Sequence, residues 1–301
     1  MRVGYFGPEG TFTHEALIDA VGGGGVGGGG VVGGAGGGGA IELEAVPLPT
    51  IFDTVMAVHT GDVDRALVPI ENSLEGSVNA TLDALAMETE DVAIVGEVVH
   101  PIRHCLIART DLELDQIEAV VSHPQATAQC ARFIRTRLPQ ARVLAGSSTA
   151  DAVRLVAEHD GPWAAVANRL AAERYGARVL RAGVEDVADN ETRFVWLARA
   201  GTPPGAPWSP DHELGPWKTA IVFWGVGADA PGWLVACLAE FASRDVNLTR
   251  IESRPRKQGL GHYMFFLDLE GRDTEPHVAE ALAGVHERVE VVRVLGSFPS
   301  S

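Results

Sequence analysis

A proline- and glycine-rich segment divides this chain of 301 residues into two parts that have different patterns of helices and strands. The segment, GTPPGAPWSPDHELGPW at residues 201–217, contains five prolines and three glycines. Since both residue types interrupt regular structure, we predict that it is a linker. A chain of this length is expected to form about two domains of ~150 residues each. We therefore predict one domain over residues 1–200 and a second over residues 218–301.

The part before the linker alternates short apolar runs with helical patterns. The apolar residues of segment 49–59 recur at helical spacing, and the apolar run 65–70 that follows is typical of a buried strand. Ser122 with Gln125 has the spacing of a capping box, and a second cap is expected among Ser147, Ser148 and Thr149. Strands that alternate with helices predict an α/β sheet with helices on both faces. The other strands are predicted at residues 2–7, 92–99, 102–109 and 164–168, and the other helices at residues 124–137, 149–159 and 168–175.

The part after the linker has the order β-α-β-β-α-β. Strands are predicted in TAIVFW, VNLTRIESR, HYMFFLDL and VEVVRVLG, with helices beginning near Pro231 and through VAEALAGV. This order is that of a small ferredoxin-like α+β module.

Residues 21–40 hold 14 of the 35 glycines. Glycine loses the most backbone freedom when it is ordered, so we interpret this tract as a flexible insertion. It does not match a phosphate-binding glycine loop, because the residues after it, from Ile41 to Val46, have the pattern of a strand rather than a helix.

Charge and cysteine content exclude several classes of protein. Lys and Arg total 24 against 40 Asp and Glu, a net charge of −16, with no basic run to bind nucleic acid or an anionic membrane. The three cysteines, Cys105, Cys130 and Cys237, are too few and too scattered for a disulfide framework or a zinc site. The first residues have no apolar signal-peptide region, and no 18-residue apolar run follows. We therefore predict a soluble cytoplasmic protein that binds no metal.

Five clusters of small polar residues lie at predicted strand ends or helix starts. They are GPEGTF (7–12), PIENS (69–73), SHPQATAQ (122–129), SSTA (147–150) and NETRF (190–194). In open α/β sheets, ligands bind beyond the carboxyl ends of strands, and helix N-termini supply N–H donors for anions. Each cluster taken singly is explained by helix capping, but together they predict a site for a small polar anion. Among the histidines, His14, His104 and His123 lie near these clusters and are interpreted as structural or solvated.

These motifs resemble those of the bacterial prephenate dehydratases. The resemblance is carried by GPEGTFTHEA (7–16), VPIENSLEGSV (68–78), SHPQATAQC (122–130), NETRF (190–194), NLTRIESRP (247–255) and LGSFP (295–299). It implies a two-lobed catalytic domain like the periplasmic binding proteins, with the site in the cleft, followed by an ACT domain. The first lobe would take the N-terminal ~75 residues and return near the end of the domain, as the resemblance implies. Family members convert prephenate into phenylpyruvate, CO2 and water, and they are commonly inhibited by phenylalanine.

The resemblance also implies roles for individual residues. Thr192 would donate a hydrogen bond to the departing ring hydroxyl, and Glu71 would supply or relay a proton if burial raised its pKa. Arg193 would pair with a substrate carboxylate or, in a structural role, with an acidic neighbour such as Asp189. Since aromatisation of the ring drives the reaction, no cofactor is expected. The remaining expected catalytic or substrate-binding residues are Asn72, Thr11, Ser73, Ser122, Gln129, Ser148, Thr149 and Phe194.

In the tail, the family's effector site matches a loop before the first helix and the ESRP strand. Family members often have GALV in the loop, whereas this chain has Trp233 as its second residue, which would alter effector affinity or identity or point into a neighbouring subunit. An alternative is that the loop is only a tight turn and ESRP only ends a strand. The expected effector-binding residues are Gly232, Trp233, Leu234, Val235, Asn247, Glu252, Ser253, Arg254 and Pro255.

Three functions remain open from the sequence. The first is a prephenate dehydratase regulated by phenylalanine, the second is an arogenate dehydratase, and the third is a small-molecule binding or sensing protein without turnover. An ACT domain pairs across a symmetry axis, so the expected assembly is a homodimer or a homotetramer.

Overall fold

The computed structural model describes residues 1–22, 43–205, 216–225, 227 and 230–300. Most of the glycine tract (23–40) and of the predicted linker (206–215) lies outside the described residues.

Three sheets and their helices make up the described chain. The strands are β1 Arg2–Phe6, β2 Glu44–Leu48, β3 Arg65–Asn72, β4 Gly76–Ser77, β5 Val92–Pro101, β6 Cys105–Ala108, β7 Ala119–Ser122, β8 Arg142–Ala145, β9 Trp163–Ala167, β10 Arg178–Ala182, β11 Glu191–Arg199, β12 Trp217–Trp224, β13 Leu248–Pro255, β14 Tyr263–Glu270 and β15 Val291–Pro299. The helices are α1 Phe12–Ala20, α2 Ile51–Thr60, α3 Asn79–Asp83, α4 Pro124–Gln129, α5 Ala131–Arg137, α6 Thr149–Glu158, α7 Arg169–Arg174, α8 Trp233–Ala242 and α9 Pro276–His286. A π-helical turn, Ala84–Glu88, continues α3, and a 3-10 turn covers Leu114–Gln116.

The first two sheets form two α/β lobes. Lobe 1 contains the sheet β2-β1-β3-β11-β5 with β4 paired to β3, and lobe 2 contains the sheet β10-β6-β9-β7-β8. The chain crosses between the lobes twice, first after β5 at Ile102 and again before β11 at Asn190. The two crossings lie side by side, since the Ile102 N–H donates to the Asn190 carbonyl over 2.8 Å. Lobe 1 is larger than predicted, since it includes β5 as well as the first ~75 residues.

The third sheet forms the C-terminal domain. Its order, β13-β14-β12-β15, is that of a ferredoxin-like fold and confirms the predicted β-α-β-β-α-β module. One face of this sheet packs on α8 and α9, with Phe223, Phe241 and Leu267 fully buried. The other face packs on lobe 1, where Val222 and Phe266 join the same apolar cluster as Val195. The two domains therefore share one continuous core.

Residues 124–137, predicted as one helix, form two. Cys130 lies between α4 and α5 with φ −116° and ψ 15°, outside the helical region, while its side chain is fully buried. The capping box predicted at Ser122 is also wrong. The N-cap of α4 is His123, whose Nδ1 accepts a hydrogen bond from Gln125 N–H, because Ser122 still belongs to β7. The cap expected among Ser147, Ser148 and Thr149 is Ser148, which accepts from Asp151 N–H at the start of α6.

No helix in the described ranges is long and apolar enough to cross a membrane.

An acidic residue on α3 links the two domains. Asp83 accepts hydrogen bonds from Arg254 at 3.0 Å and lies 2.9 Å from Lys257 Nζ, both in the C-terminal domain. Burial alone would raise the pKa of Asp83, but the hydrogen bonds from Arg254 and Lys257 outweigh it and hold the pKa below its ordinary value. A carboxyl group of this kind stabilises the fold above its unfolded-state pKa, and that contribution is lost as the pH falls through the folded-state value.

We expect Asp83→Asn to lower the free energy of unfolding at neutral pH by about 1–3 kcal/mol, because it leaves two cations without their anion. The difference from wild type should shrink as the pH falls below about 4, where the wild-type carboxyl is also protonated. Denaturant unfolding at neutral and acidic pH measures both effects. Asp160→Asn is the control, since Asp160 is 94% exposed in its pair with Arg109, and a difference that did not change with pH would contradict the prediction.

Candidate active site

A cavity of about 340 Å³ lies between the two lobes. Its volume is in the range of small-molecule sites, about 300–1,000 Å³. The wall from lobe 1 comes from the ends of β1, β3 and β11, and the wall from lobe 2 comes from α4 and the start of α6. The aromatic rings of Phe6, Phe12 and Phe194 line it beside hydroxyl and amide side chains. The cavity can thus hold a ring together with polar substituents.

Helix N-termini from both lobes open onto this cavity. Thr11 caps α1 by accepting from His14 N–H, Ser148 caps α6, and both side chains line the cavity. The first N–H groups of a helix have no partner within the helix and carry the positive end of its dipole. Both ends therefore offer donors for an anion.

Asn72, the last residue of β3, organises the wall of lobe 1. Its Oδ1 accepts from the N–H groups of Leu74 and Glu75, each over 3.0 Å. This fixes Nδ2 as the donor on the other side. Nδ2 lies 2.8 Å from Asn190 Oδ1 and 2.9 Å from Thr192 Oγ1. One amide group thereby joins β3, the second lobe crossing and β11.

The Thr192 hydroxyl is held with its proton available. Its oxygen accepts from Asn72 Nδ2, and no acceptor for its own proton is found among the described residues. The residue is 8% exposed and lines the cavity. Its O–H can therefore donate to a group bound there.

A second chain of hydrogen bonds joins the lobes. Gln129 Nε2 lies 3.3 Å from Glu75 Oε1, and its Oε1 accepts from Asn190 Nδ2 over 3.2 Å. His104 Nε2 lies 3.0 Å from the same Gln129 oxygen, so it must carry the proton of the ring. Burial lowers the pKa of His104 below its ordinary value. The imidazole is therefore neutral and acts as a donor to Gln129.

Among the described residues, no Lys or Arg side chain lines the cavity. Negative charge bound there is met by N–H, O–H and amide dipoles rather than by cations. Within the described ranges, no three His, Cys, Asp or Glu side chains are grouped as metal ligands.

The structure brings most of the expected substrate-site residues together. Those that line the cavity are Thr11, Asn72, Gln129, Ser148, Thr149, Thr192 and Phe194. Glu71, Ser73, Ser122 and Arg193 do not line it.

Arg193 points away from the cavity because successive side chains of a strand face opposite sides of the sheet, and it lies between Thr192 and Phe194, which both line the cavity. Glu71 follows Pro69, another lining residue, by two positions, but the extra residue Ile70 reverses the alternation of β3 and places Glu71 on the side of Arg193. Glu71 Oε2 lies 3.2 Å from Arg193 instead, and Arg193 also pairs with Glu97 and Asp268. The structural alternative for Arg193 is thus favoured, with partners other than Asp189.

The two other residues support the walls. Ser122 is fully buried, and its Oγ donates to the Val166 carbonyl of β9 over 2.6 Å. Ser73 Oγ lies 3.3 Å from Asn190 Oδ1 and accepts from Glu191 N–H. Neither side chain lines the cavity.

Sequence reasoning did not select His104 or Asn190 for the site. Asn190 is 1% exposed and shares its hydrogen bonds with Asn72 and Gln129. Its position two residues before Thr192 in a polar cluster was the available signal. For His104 the signal was its place near the polar clusters, but with no partner visible in the sequence it was interpreted as structural or solvated.

The expected effector residues fall into two groups. Glu252 Oε2 accepts from Ser77 Oγ and Arg254 pairs with Asp83, so both side chains face lobe 1. The others do not contact lobe 1 in this way: Gly232 caps α8, Trp233, Leu234 and Val235 form its first turn, Asn247 precedes β13, and Ser253 and Pro255 are exposed on β13. Gly232, with φ 85°, is the N-cap of α8.

Trp233 packs against its own domain. Its ring packs near Phe223 and Phe265, each 6.0 Å away between ring centroids, and its Nε1 donates to the Arg288 carbonyl over 2.9 Å.

We expect Ser122→Ala to destabilise the protein by about 1 kcal/mol, because the Val166 carbonyl loses a buried donor. Binding of ligand to the cavity should be nearly unchanged, since the hydroxyl does not face it. Denaturant unfolding and calorimetric binding measure the two effects, with Thr136→Ala on the surface of α5 as the control. A loss of binding without a loss of stability would show that Ser122 is a ligand contact.

Two family models match the chain. The model described as prephenate dehydratase matches residues 3–202, and the model described as the ACT domain matches residues 225–287.

Similar proteins cover nearly the whole chain. The prephenate dehydratase of Mycobacteroides abscessus is 40% identical over 298 residues, which are 99% of this chain and 90% of the relative. The structure of prephenate dehydratase from Arthrobacter aurescens in complex with L-Phe is 38% identical with a TM-score of 0.81, covering 99% of this chain and 89% of that one. The structure of GqqA, described as a novel type of quorum quenching acylase, is 30% identical with a TM-score of 0.80, covering 100% and 98%. The chain therefore belongs to the prephenate dehydratase family of carbon–oxygen lyases and carries a C-terminal ACT domain.

Proposed function

We propose that this protein converts prephenate into phenylpyruvate, CO2 and water in the formation of phenylalanine, and that phenylalanine bound to the ACT domain regulates it. The observation that carries the proposal is the Thr192 hydroxyl, which Asn72 holds as an acceptor while its own proton faces a cleft built for an anion.

The reaction depends more on how the substrate is positioned than on reactive side chains. The ring carboxylate leaves as CO2, its bonding electrons enter the ring, and the ring hydroxyl leaves from the opposite end as hydroxide, which takes a proton from solvent to become water. Thr192 Oγ–H donates a hydrogen bond to the leaving oxygen as negative charge develops on it, which is where a fixed donor contributes most. Holding the substrate in register with that donor supplies the other large part of the rate.

Other residues of the cavity would bind the carboxylates and the ring of the substrate. The N-termini of α1 and α6, with Thr11, Ser148 and Thr149, are placed to hold carboxylates. Phe6 and Phe194 offer faces to the ring as it becomes aromatic. A carboxylate held by neutral dipoles loses its charge as CO2 without leaving a cation unpaired.

We expect Thr192→Val to lower kcat on the order of 10²–10⁴-fold, because it keeps the shape of the side chain and removes the donor. Binding of prephenate should be largely kept. Thr192→Ser is the control and should retain most of the activity. A spectrophotometric assay of phenylpyruvate measures kcat, and an active Val variant would exclude Thr192 as the donor.

The same assay separates the alternative functions. Turnover of arogenate in preference to prephenate would indicate an arogenate dehydratase. Binding of prephenate by wild type without any turnover would indicate a binding protein. The cytoplasmic location expected from the sequence stays a prediction.

Features of the ACT domain support regulation across a subunit interface. Strand β13 is an edge strand within this chain, and it exposes Ile251 (51%) on the helix side of the sheet. Val235 on α8 is 69% exposed. Because a bare edge strand with apolar side chains favours pairing with another copy, we place the homodimer contact here, with a tetramer as a pair of such dimers. The loop at Gly232 and the exposed Ser253 belong to the same domain and would contact phenylalanine there.

We expect Ile251→Asp to shift the protein from dimer or tetramer to monomer at micromolar concentration and to abolish inhibition by phenylalanine. The reason is that a charge would replace apolar surface in the contact. Size-exclusion chromatography with light scattering measures the assembly. Val143→Asp is the control, since Val143 is also 51% exposed but lies on β8 of lobe 2. A wild-type monomer would contradict the proposal.

A further inference from the structure

Charged side chains meet between β11 of lobe 1 and the sheet of the C-terminal domain. Arg193 lies at their centre, with one terminal nitrogen 2.5 Å from Asp268 Oδ2 and 3.2 Å from Glu71 Oε2. The other terminal nitrogen lies 3.1 Å from Glu97 Oε2. Lys218 Nζ, 2.7 Å from Glu97 Oε1, completes the cluster. Arg193 thus bridges carboxylates of both domains.

This cluster is withdrawn from water. The side chains of Arg193, Glu97 and Asp268 are 11%, 2% and 4% exposed. Burial alone would lower the pKa of Arg193, but Asp268 and Glu97 outweigh it and hold the pKa above its ordinary value. A buried cation with several anions tolerates little displacement, because removing one partner leaves uncompensated charge.

The backbone of Arg193 continues directly into the active-site wall. Thr192 precedes it on β11 and faces the cavity, while Arg193 faces the C-terminal domain. The register between β11 and β3 shifts between Arg193 and Phe194, because β3 carries one extra residue, Ile70, between their partners Glu71 and Pro69. On its other side, β11 stays in register with β5 from Glu191 to Trp196. The side chain of Arg193 therefore ties a fully paired strand, next to a bulge in β3, to the C-terminal domain.

We propose that Arg193 is a positioning residue, through which Asp268 of the C-terminal domain fixes the orientation of Thr192 in the cleft. The inference rests on the proposed dehydratase function, in which Thr192 is the donor. It makes the C-terminal domain part of the apparatus that sets the catalytic geometry, in addition to any effector that this domain binds.

A second arginine, Arg293, is a control that distinguishes the positioning of Thr192 from contact between the domains alone. Arg293 of β15 also crosses to lobe 1, where it donates to the carbonyl oxygens of Thr89, over 2.8 Å, and Leu85. Those contacts end at the π-helical turn after α3 and do not involve β11. A residue that only holds the domains together should behave like Arg293.

The experiment compares Arg193→Lys, Asp268→Asn, their double variant and Arg293→Lys in the full-length protein. Lysine keeps the cation but, as a single point charge, cannot bridge carboxylates as the guanidinium fork does. For each folded variant, kcat and KM for prephenate are measured, together with the unfolding midpoint and amide hydrogen exchange of residues 191–194.

We expect Arg193→Lys to lower kcat about 10- to 100-fold, the effect of a small misplacement of a catalytic group, with KM changed less than about twofold. Asp268→Asn should act in the same direction, and the double variant should be no slower than Arg193→Lys, because Asp268 acts through Arg193. Exchange at residues 191–194 should accelerate in these three variants. Arg293→Lys should lower only the unfolding midpoint.

Three results would overturn the proposal: an unchanged kcat in Arg193→Lys, a rise in KM alone, which would indicate direct substrate binding, or additive effects in the double variant. If the wild type does not turn over prephenate, the proposed function fails, and hydrogen exchange then decides the positioning role. Accelerated exchange confined to the Arg193 and Asp268 variants would support it, and equal exchange in all variants would exclude it.

Discussion

The side-chain amide of Asn72 is the interaction on which the rest of the site depends. Its oxygen is fully used by two backbone N–H groups of the turn after β3, so its nitrogen has one direction left, towards Asn190 and Thr192. Those residues lie on the second lobe crossing and on β11. A buried amide whose partners are all in place is costly to disturb, because any shift leaves polar groups unpaired. The geometry of the cleft is therefore tied to the point where the chain crosses between the lobes.

Strands β3 and β11 also determine where charged side chains lie relative to the cleft. A chain with a net charge of −16 would repel a dicarboxylate unless the site itself were free of anions and rich in donors. The cavity meets this need with helix N-termini and neutral side chains. Glu71 and Arg193, which adjoin Asn72 and Thr192, place their charges on the opposite face of the sheet. One alternation of side chains therefore builds a neutral cleft on one face and an ionic cluster on the other.

Hydrophobic period and capping are local properties, and they predicted the order of elements in both domains and a cap at the start of α6. The cleft, with Thr192 and Asn72 in it, was expected from the resemblance of the motifs to a family. The same resemblance assigned Glu71 and Arg193 to the site, although neighbours along a strand face opposite sides of the sheet. Ser122 has the residue type and spacing of a cap, and only the neighbouring strand β9 shows that its hydroxyl is used elsewhere. Such outcomes depend on tertiary partners that a local pattern does not contain.

Contact between the domains limits how the ACT domain can act on the cleft. Its sheet lies directly on β5, and a side chain at Gly296 would overlap the Ile94 carbonyl oxygen, so the two sheets cannot approach more closely. Close packing of this kind has discrete arrangements rather than a continuous range. An effector that binds two arrangements with different affinity shifts the balance between them. Because β11 carries Arg193 on the face towards the ACT domain and Thr192 on the face towards the cleft, a sliding of the ACT sheet would reach the proposed donor through a single strand.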